Sequence, residues 1–164
     1  MLTLYRLCME DLWFRQKMLE DPATMSYNLA WGGTVPFPPE RWEAWYQKWL
    51  CADESLRFYR YLAAGETFVG EVAYHREDGG DRVLTDVVIH APLRGRGYGG
   101  EGLELLCEAA RAHGITELWD SVAEDNPAIG IFLRRGFAAV SRDAGIVTLH
   151  KRLTKSDILH SLSL

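Results

Sequence analysis

Ten residues of the chain, Leu93 to Gly102, read LRGRGYGGEG: five glycines and two arginines between the β-branched run RVLTDVVIH (82–90) and a stretch of Leu, Glu and Ala. Glycine reaches backbone angles that other residues avoid and leaves its N–H uncovered, while arginine carries a permanent positive charge. A strand that enters such a loop and leaves it as a helix forms an anion cradle from converging N–H groups and a positive helix end. The chain must therefore build a strand, a glycine turn and a helix in fixed relation, with a sheet around them.

The remaining sequence supplies that sheet. LTLYRL (2–7) alternates as a strand does, and MEDLWFRQKMLED (9–21) puts Leu12, Trp13, Gln16 and Leu19 at helical intervals before Pro22. WGGTVPFPP (31–39) suits neither element, and ERWEAWYQKWL (40–50) is a helix with Trp42, Trp45, Tyr46 and Trp49 on one face. RFYRYLAA (57–64), Gly65 and TFVGEVAYH (67–75) form a hairpin, and the turn EDGGD (77–81) leads into strand 82–90. A helix from Tyr98 to His113 ends at Gly114. ELWDSVA (117–123) is a strand, AIGIFLRR (128–135) a short helix, and Phe137–Ser141 and IVTLHKRL (146–153) close as two strands. The order β-α-α-β-β-β-α-β-α-β-β means a mixed sheet with helices packed on it. Residues 1–153 form one domain in this reading, and TKSDILHSLSL (154–164) a C-terminal tail.

Three readings of the glycine loop compete. A nucleotide P-loop needs Gly-Lys-Ser/Thr after the glycines, and that is absent. Gly95, Gly97 and Gly100 satisfy the dinucleotide pattern G-x-G-x-x-G, with Asp120 twenty residues further on, which makes an NAD(P)-binding domain a rival. Against it, five residues (His90 to Arg94) separate strand from glycine, and too little chain follows to build a doubly wound sheet. The third reading is Arg-x-x-Gly-x-Gly opening a helix, matched by Arg94, Gly97 and Gly99, with Gly95, Arg96 and Tyr98 between them. A solvated surface loop remains the bland alternative.

On these residues the chain resembles the GCN5-related N-acetyltransferase superfamily, whose acetyl-CoA signature is Gln/Arg-x-x-Gly-x-Gly/Ala after the fourth strand. A second match lies in EDNPAIGIFLRRGF, where Asn126, Ala128, Gly136 and Phe137 follow the family's Asn-x-x-Ala and Gly-Phe pattern. The resemblance implies a single-domain α/β (α+β) fold, a mostly antiparallel sheet of six to seven strands with about four helices. It implies acetyl-CoA as acyl donor, held by Val88, Ile89 and His90 late in strand 82–90, by the loop Arg94–Gly99, and by Asn126. The chain departs from the pattern at Phe132, which falls where the family often has a Tyr that protonates the departing thiolate. Phe132 lines the donor site in this mapping but gives no proton, so Tyr98, solvent or no acid takes that part. A catalytically impaired acyl-CoA-binding module is accordingly a second reading.

Acetyl transfer to an amine needs a base, a polarised carbonyl and two reactants held together. Glu71 and Asp86 sit inside strands otherwise made of Val, Ala and Tyr, where an unpaired carboxylate is costly, and are the candidate bases. Pairing with Arg or backbone donors is the alternative for both. His75 and His90 lie at strand ends as lesser candidates. Trp31, on the stiff loop, is a candidate wall of the acceptor pocket; the aromatic stripe of helix 40–50 reads as packing. The nearby acids Asp21, Glu40 and Glu43 favour a cationic acceptor, a small-molecule or peptide amine.

Eighteen basic against 23 acidic residues, a net charge of −5, speak against nucleic-acid or anionic-membrane binding. Cys8, Cys51 and Cys107 lie far apart without CxxC, so neither a disulfide framework nor a metal site is signalled. No signal peptide or membrane-spanning run occurs, which makes a cytoplasmic monomer or homodimer the expectation.

Overall fold

In the computed structural model, which describes residues 1–153, seven strands form one sheet in the order β1-β2-β3-β4-β5-β7-β6. They are β1 (Leu2–Tyr5), β2 (Arg57–Ala64), β3 (Thr67–Arg76), β4 (Val83–Ile89), β5 (Glu117–Ala123), β6 (Ala138–Asp143) and β7 (Ile146–Arg152). Every neighbouring pair is antiparallel except β4 and β5, which are parallel. Four α-helices accompany them: α1 (Leu12–Leu19), α2 (Trp42–Leu50), α3 (Tyr98–Ala112) and α4 (Ile129–Arg134). This is the mixed, mostly antiparallel sheet with helices that the sequence pattern implies, and a doubly wound parallel sheet is excluded. The expected tail 154–164 lies outside the described residues.

Each face of the sheet has its own apolar core. One joins Phe58, Leu62, Val72 and Tyr74 to Leu103, Leu106 and Ala110 of α3 and to Phe132 of α4. The helix can come this close because position 102 has no side chain: a Cβ there would stand 2.5 Å from Leu62 Cδ1. The opposite core joins Leu12, Phe14 and Met18 of α1, with Leu50 of α2, to Tyr59, Tyr61, Ala73 and Val88.

Two local expectations change. Helical spacing puts Trp13 on the inner face of the first helix, yet it is half exposed while its neighbour Phe14 is buried. The helix proper begins at Leu12 after a 3-10 turn (Met9–Asp11), which rotates the later residues relative to a helix drawn from residue 9. Thr24–Trp31, for which the sequence pattern predicts no element, winds as 3-10 helix.

Candidate active site

The end of β4 is where the sheet opens. His90 N–H donates to Val69 O at 2.9 Å, continuing the β3–β4 ladder, so alternation turns the N–H groups of Val87 and Ile89 toward β5. Yet β4 and β5 pair only at Leu84 and Trp119. Beyond that bridge Ser121 N–H donates to the carboxylate of Asp120 (2.8 Å) instead of to β4. Of the three backbone positions implied for the acyl arm, Ile89 alone therefore aims its N–H into the gap. Val88 is buried on the acceptor face, and the His90 ring lies edge-on to Phe14 with Nε2 4.0 Å from Asp21. Burial and the nearby Lys17 hold that imidazole below its usual pKa.

The glycine loop lies just beyond this opening. Gly95 and Gly97 have φ of +82° and +83°, and a Cβ at either would meet no atom within 4 Å, so both backbones face open space. Gly97 begins α3 without a side-chain cap, leaving first-turn N–H groups for an incoming anion. Gly99 is buried, with Ile131 Cδ1 3.3 Å from where its Cβ would be; Tyr98 packs partly into the α3-side core, and Arg96 is exposed. The loop thus presents two open glycine backbones beside an uncapped helix start.

Arg94 behaves differently from its neighbours. Its Nε donates to Ile89 O (3.3 Å), Nη1 to Ala23 O (3.1 Å) and Nη2 to Thr24 O (2.7 Å). Thr24 Oγ1 accepts from Ala91 N–H at 3.0 Å in the same junction. The guanidinium therefore fastens the 3-10 segment to the end of β4. Across the gap, Asn126 Oδ1 accepts from Ala128 N–H (2.9 Å) and starts α4. Phe132 is 3 % exposed, and its ring packs against Phe137 at 5.0 Å.

On the other face a cavity of about 220 Å³ is walled by Arg15, Tyr27, Asn28, Trp45, Glu71 and Asp86, among others. Register explains the acids: Glu71 pairs with Val88 and Ala73 with Asp86, which places all four side chains on this face. Glu71 is buried and fully engaged. Arg15 Nη1 donates to both of its oxygens (3.2 and 3.0 Å), and the Tyr59 hydroxyl donates to the same carboxylate. Of the alternatives open for Glu71, the structure shows the Arg-paired one.

Asp86 has no hydrogen-bond partner among the described residues. Solvent reaches it through the cavity mouth, but the surrounding protein is dense enough that desolvation, with help from the Glu71 charge, lifts its pKa from 3.8 to about 6. Asp120 on β5 is likewise pushed up, by burial first and then by Asp86. Two carboxylates of similar sequence context thus differ: one is locked in an ion pair, and the other has no partner among the described residues.

Trp31 is 57 % exposed and does not line this cavity; Val35 does so from the same loop. Nor do Glu40 or Glu43 reach it, and Asp21 instead bonds Thr24 Oγ1 (2.5 Å). Trp45 and Trp49, which read as packing in the sequence, also form cavity wall. Arg15, Tyr27 and Asn28 carry no sequence signal, because only the folded chain brings them to the sheet.

The Acetyltransferase (GNAT) family model matches residues 17–137. Among solved structures, spermidine N-acetyltransferase from Vibrio cholerae, in complex with CoA and spermine, is 17% identical with a TM-score of 0.77, over 94% of this chain and 96% of that one. An N-acetyltransferase from Staphylococcus aureus Mu50 is 15% identical with a TM-score of 0.76, over 94% and 99%. The yncA protein of Salmonella typhimurium, solved with its cofactor acetyl-CoA, is 14% identical with a TM-score of 0.73, over 94% and 95%. No curated protein sequence matches the chain. At these identities the structural similarity establishes the fold.

Proposed function

We propose that this chain, which belongs to the Acetyltransferase (GNAT) family, is an N-acetyltransferase that moves an acetyl group from acetyl-CoA directly to a primary amine. The observation that carries this reading is the arrangement along β4. Ile89 N–H opens into the β4–β5 gap at one end, and Asp86, a few residues back, stands free in a cavity on the acceptor face.

The residues present suit the donor. The open backbones at Gly95 and Gly97 and the uncapped start of α3 would hold its pyrophosphate, with Arg96 adding charge. Ile89 N–H would hold the acyl arm from β4 and Asn126 from the start of α4. Bound acetyl-CoA supplies the acetyl group as a thioester.

The chain's own part is acid–base chemistry and positioning. An amine is protonated at neutral pH and must lose a proton to act as a nucleophile. Asp86 takes that proton, directly or through one water, and its raised pKa makes it a better base than an ordinary aspartate. Ile89 N–H, on the side of β4 away from the β3 ladder, would donate to the carbonyl oxygen as negative charge grows there. Glu71 and Arg15 neutralise each other, so the free Asp86 gives the cavity a net attraction for an ammonium ion.

Phe132, at the place of the proton-donating Tyr, is buried in the core and gives no proton, which leaves Tyr98, solvent or no acid for that part. A thiol of pKa about 8.5 leaves acceptably without help. Cys107 is buried in α3, where desolvation pushes its thiol up, which suits direct transfer without a cysteine intermediate.

The absence of that acid is the observation favouring the second reading, a CoA-binding module without turnover. One experiment separates the two: thiol release from acetyl-CoA with a panel of primary amines, with N-acetyl products identified by mass. Amine-dependent release supports the transferase. CoA binding without release on any amine supports the module.

A further inference from the structure

The cavity holds more than a base, and its second charged group bears on the kind of amine it takes, given the N-acetyltransferase reading above. A guanidinium presents five N–H donors in a rigid plane. In Arg15, Nη1 donates to the two oxygens of Glu71. Among the described residues no group accepts from Nη2, and Nε is buried without a partner. The Arg15 Cζ lies 4.3 Å from the Trp45 ring centroid, 5.1 Å from that of Phe37 and 5.4 Å from that of Tyr59, so aromatic rings hold the guanidinium in place. Native interiors rarely leave donors without acceptors, and a carboxylate oxygen is a strong acceptor for a charged guanidinium N–H.

The charges divide by position. Glu71 is met by Arg15 and by the Tyr59 hydroxyl, so its charge is quenched inside the wall. Asp86, unpartnered among the described residues, lines the same cavity. A plain aliphatic amine would answer Asp86 and leave Arg15 as it is. A molecule carrying both an ammonium and a carboxylate answers both. The volume agrees: about 220 Å³ is below the range of about 300–1,000 Å³ usual for drug-sized ligands, and suits one amino acid.

We propose that the acceptor is a free amino acid or a zwitterion of similar size. Its ammonium lies against Asp86, its carboxylate on Nη2 of Arg15, and its side chain against Leu19, Met25 and Val35. The nucleophile is the amino nitrogen: it bonds to the acetyl carbon, the carbon–sulfur bond breaks, and CoA leaves as thiolate. The acceptor carboxylate takes no part in the bond changes.

The test uses the wild-type enzyme and matched acceptors: leucine, leucinamide and 3-methylbutylamine, and likewise phenylalanine, phenylalaninamide and phenethylamine. The expected kcat/KM for at least one amino acid exceeds that for its amide and its amine by about tenfold or more. The amide carries the more acidic ammonium, so easier deprotonation cannot produce that preference. Arg15→Lys, which keeps a charge opposite Glu71 but loses the fork, is expected to bring the ratio toward one. Amines or amides used as well as the amino acids overturn this proposal and leave the N-acetyltransferase reading standing. If no acceptor is acetylated, that reading fails and binding decides the subsite. N-acetyl-leucine raising the Tm of wild type but not of Arg15→Lys sustains it, and a Tm response no larger than that to N-acetyl-leucinamide overturns it.

Discussion

Replacing Asp86 by asparagine removes the charge and keeps the shape, and the structure gives that change two opposite consequences. A carboxylate with a pKa of about 6 is about 97% ionised at pH 7.5 and about 9% ionised at pH 5. In wild type, kcat/KM should therefore fall about tenfold per pH unit below 6. An amide accepts no proton in this range, so the Asp86→Asn rate should drop by about 10²-fold or more at pH 7.5 and lose its acidic limb.

Stability should move the other way. The folded pKa lies above the ordinary 3.8, so the ionised form is disfavoured by folding. That penalty is fully present above pH 6 and fades as pH falls through 6 toward 3.8. A carboxyl moved from 3.8 to about 6 corresponds to about 3 kcal/mol at full value, and access of solvent to the cavity reduces this to about 1 kcal/mol. Asp86→Asn should thus raise Tm by about 2–4 °C at pH 7.5 and by nothing at pH 4. A slower enzyme that melts higher, with both effects following one titration, is the expected pair. Steady-state rates across pH 5–9 and calorimetry at both pH values measure it. A variant that keeps the acidic limb, or that is less stable at pH 7.5, would refute the assignment of Asp86 as a strained base.

Three further substitutions probe other parts of the site. Gly97→Val forces a β-branched residue into φ +83°, where the cradle backbone is open; acetyl-CoA affinity by calorimetry should fall at least about tenfold while circular dichroism stays native. Arg94→Ala frees Ala23 and Thr24, and with them the segment that carries Tyr27 and Asn28. The amine KM should rise several-fold while acetyl-CoA affinity changes little, and the reverse pattern would return Arg94 to the phosphates. Gly102→Ala sets a Cβ 2.5 Å from a methyl of the fully buried Leu62, which should cost about 1–3 kcal/mol in urea unfolding.

Much of this architecture is legible in the residues. The strand-forming runs 57–64 and 67–75 on either side of Gly65 read as a hairpin, and the glycine loop lies between a strand-like and a helix-like run. The proposal of a phosphate cradle rests on glycines that all lie from Leu93 to Gly102, so no long-range contact is needed to raise it. The roles of the charged side chains are different in kind. Arg94 belongs to the loop motif, but its hydrogen bonds reach back some 70 residues to a 3-10 segment that no periodicity announces. Phe132 marks a missing proton donor in the sequence, and only packing against Phe137 shows that its ring faces the core.

The two acids make the division plain. Glu71 and Asp86 occupy equivalent settings in adjacent strands, and in the sequence alone both stand between ion pair and base. The sequence placed both inside apolar strands, and the β3–β4 register of the folded chain put them on one face. Which would be neutralised depended on where α1 packs, since that packing brings Arg15, 56 residues away, onto Glu71 and not onto Asp86. Local propensities act through bonded neighbours and fix elements; the energy of a buried charge depends on everything around it, and only the folded chain supplies those surroundings.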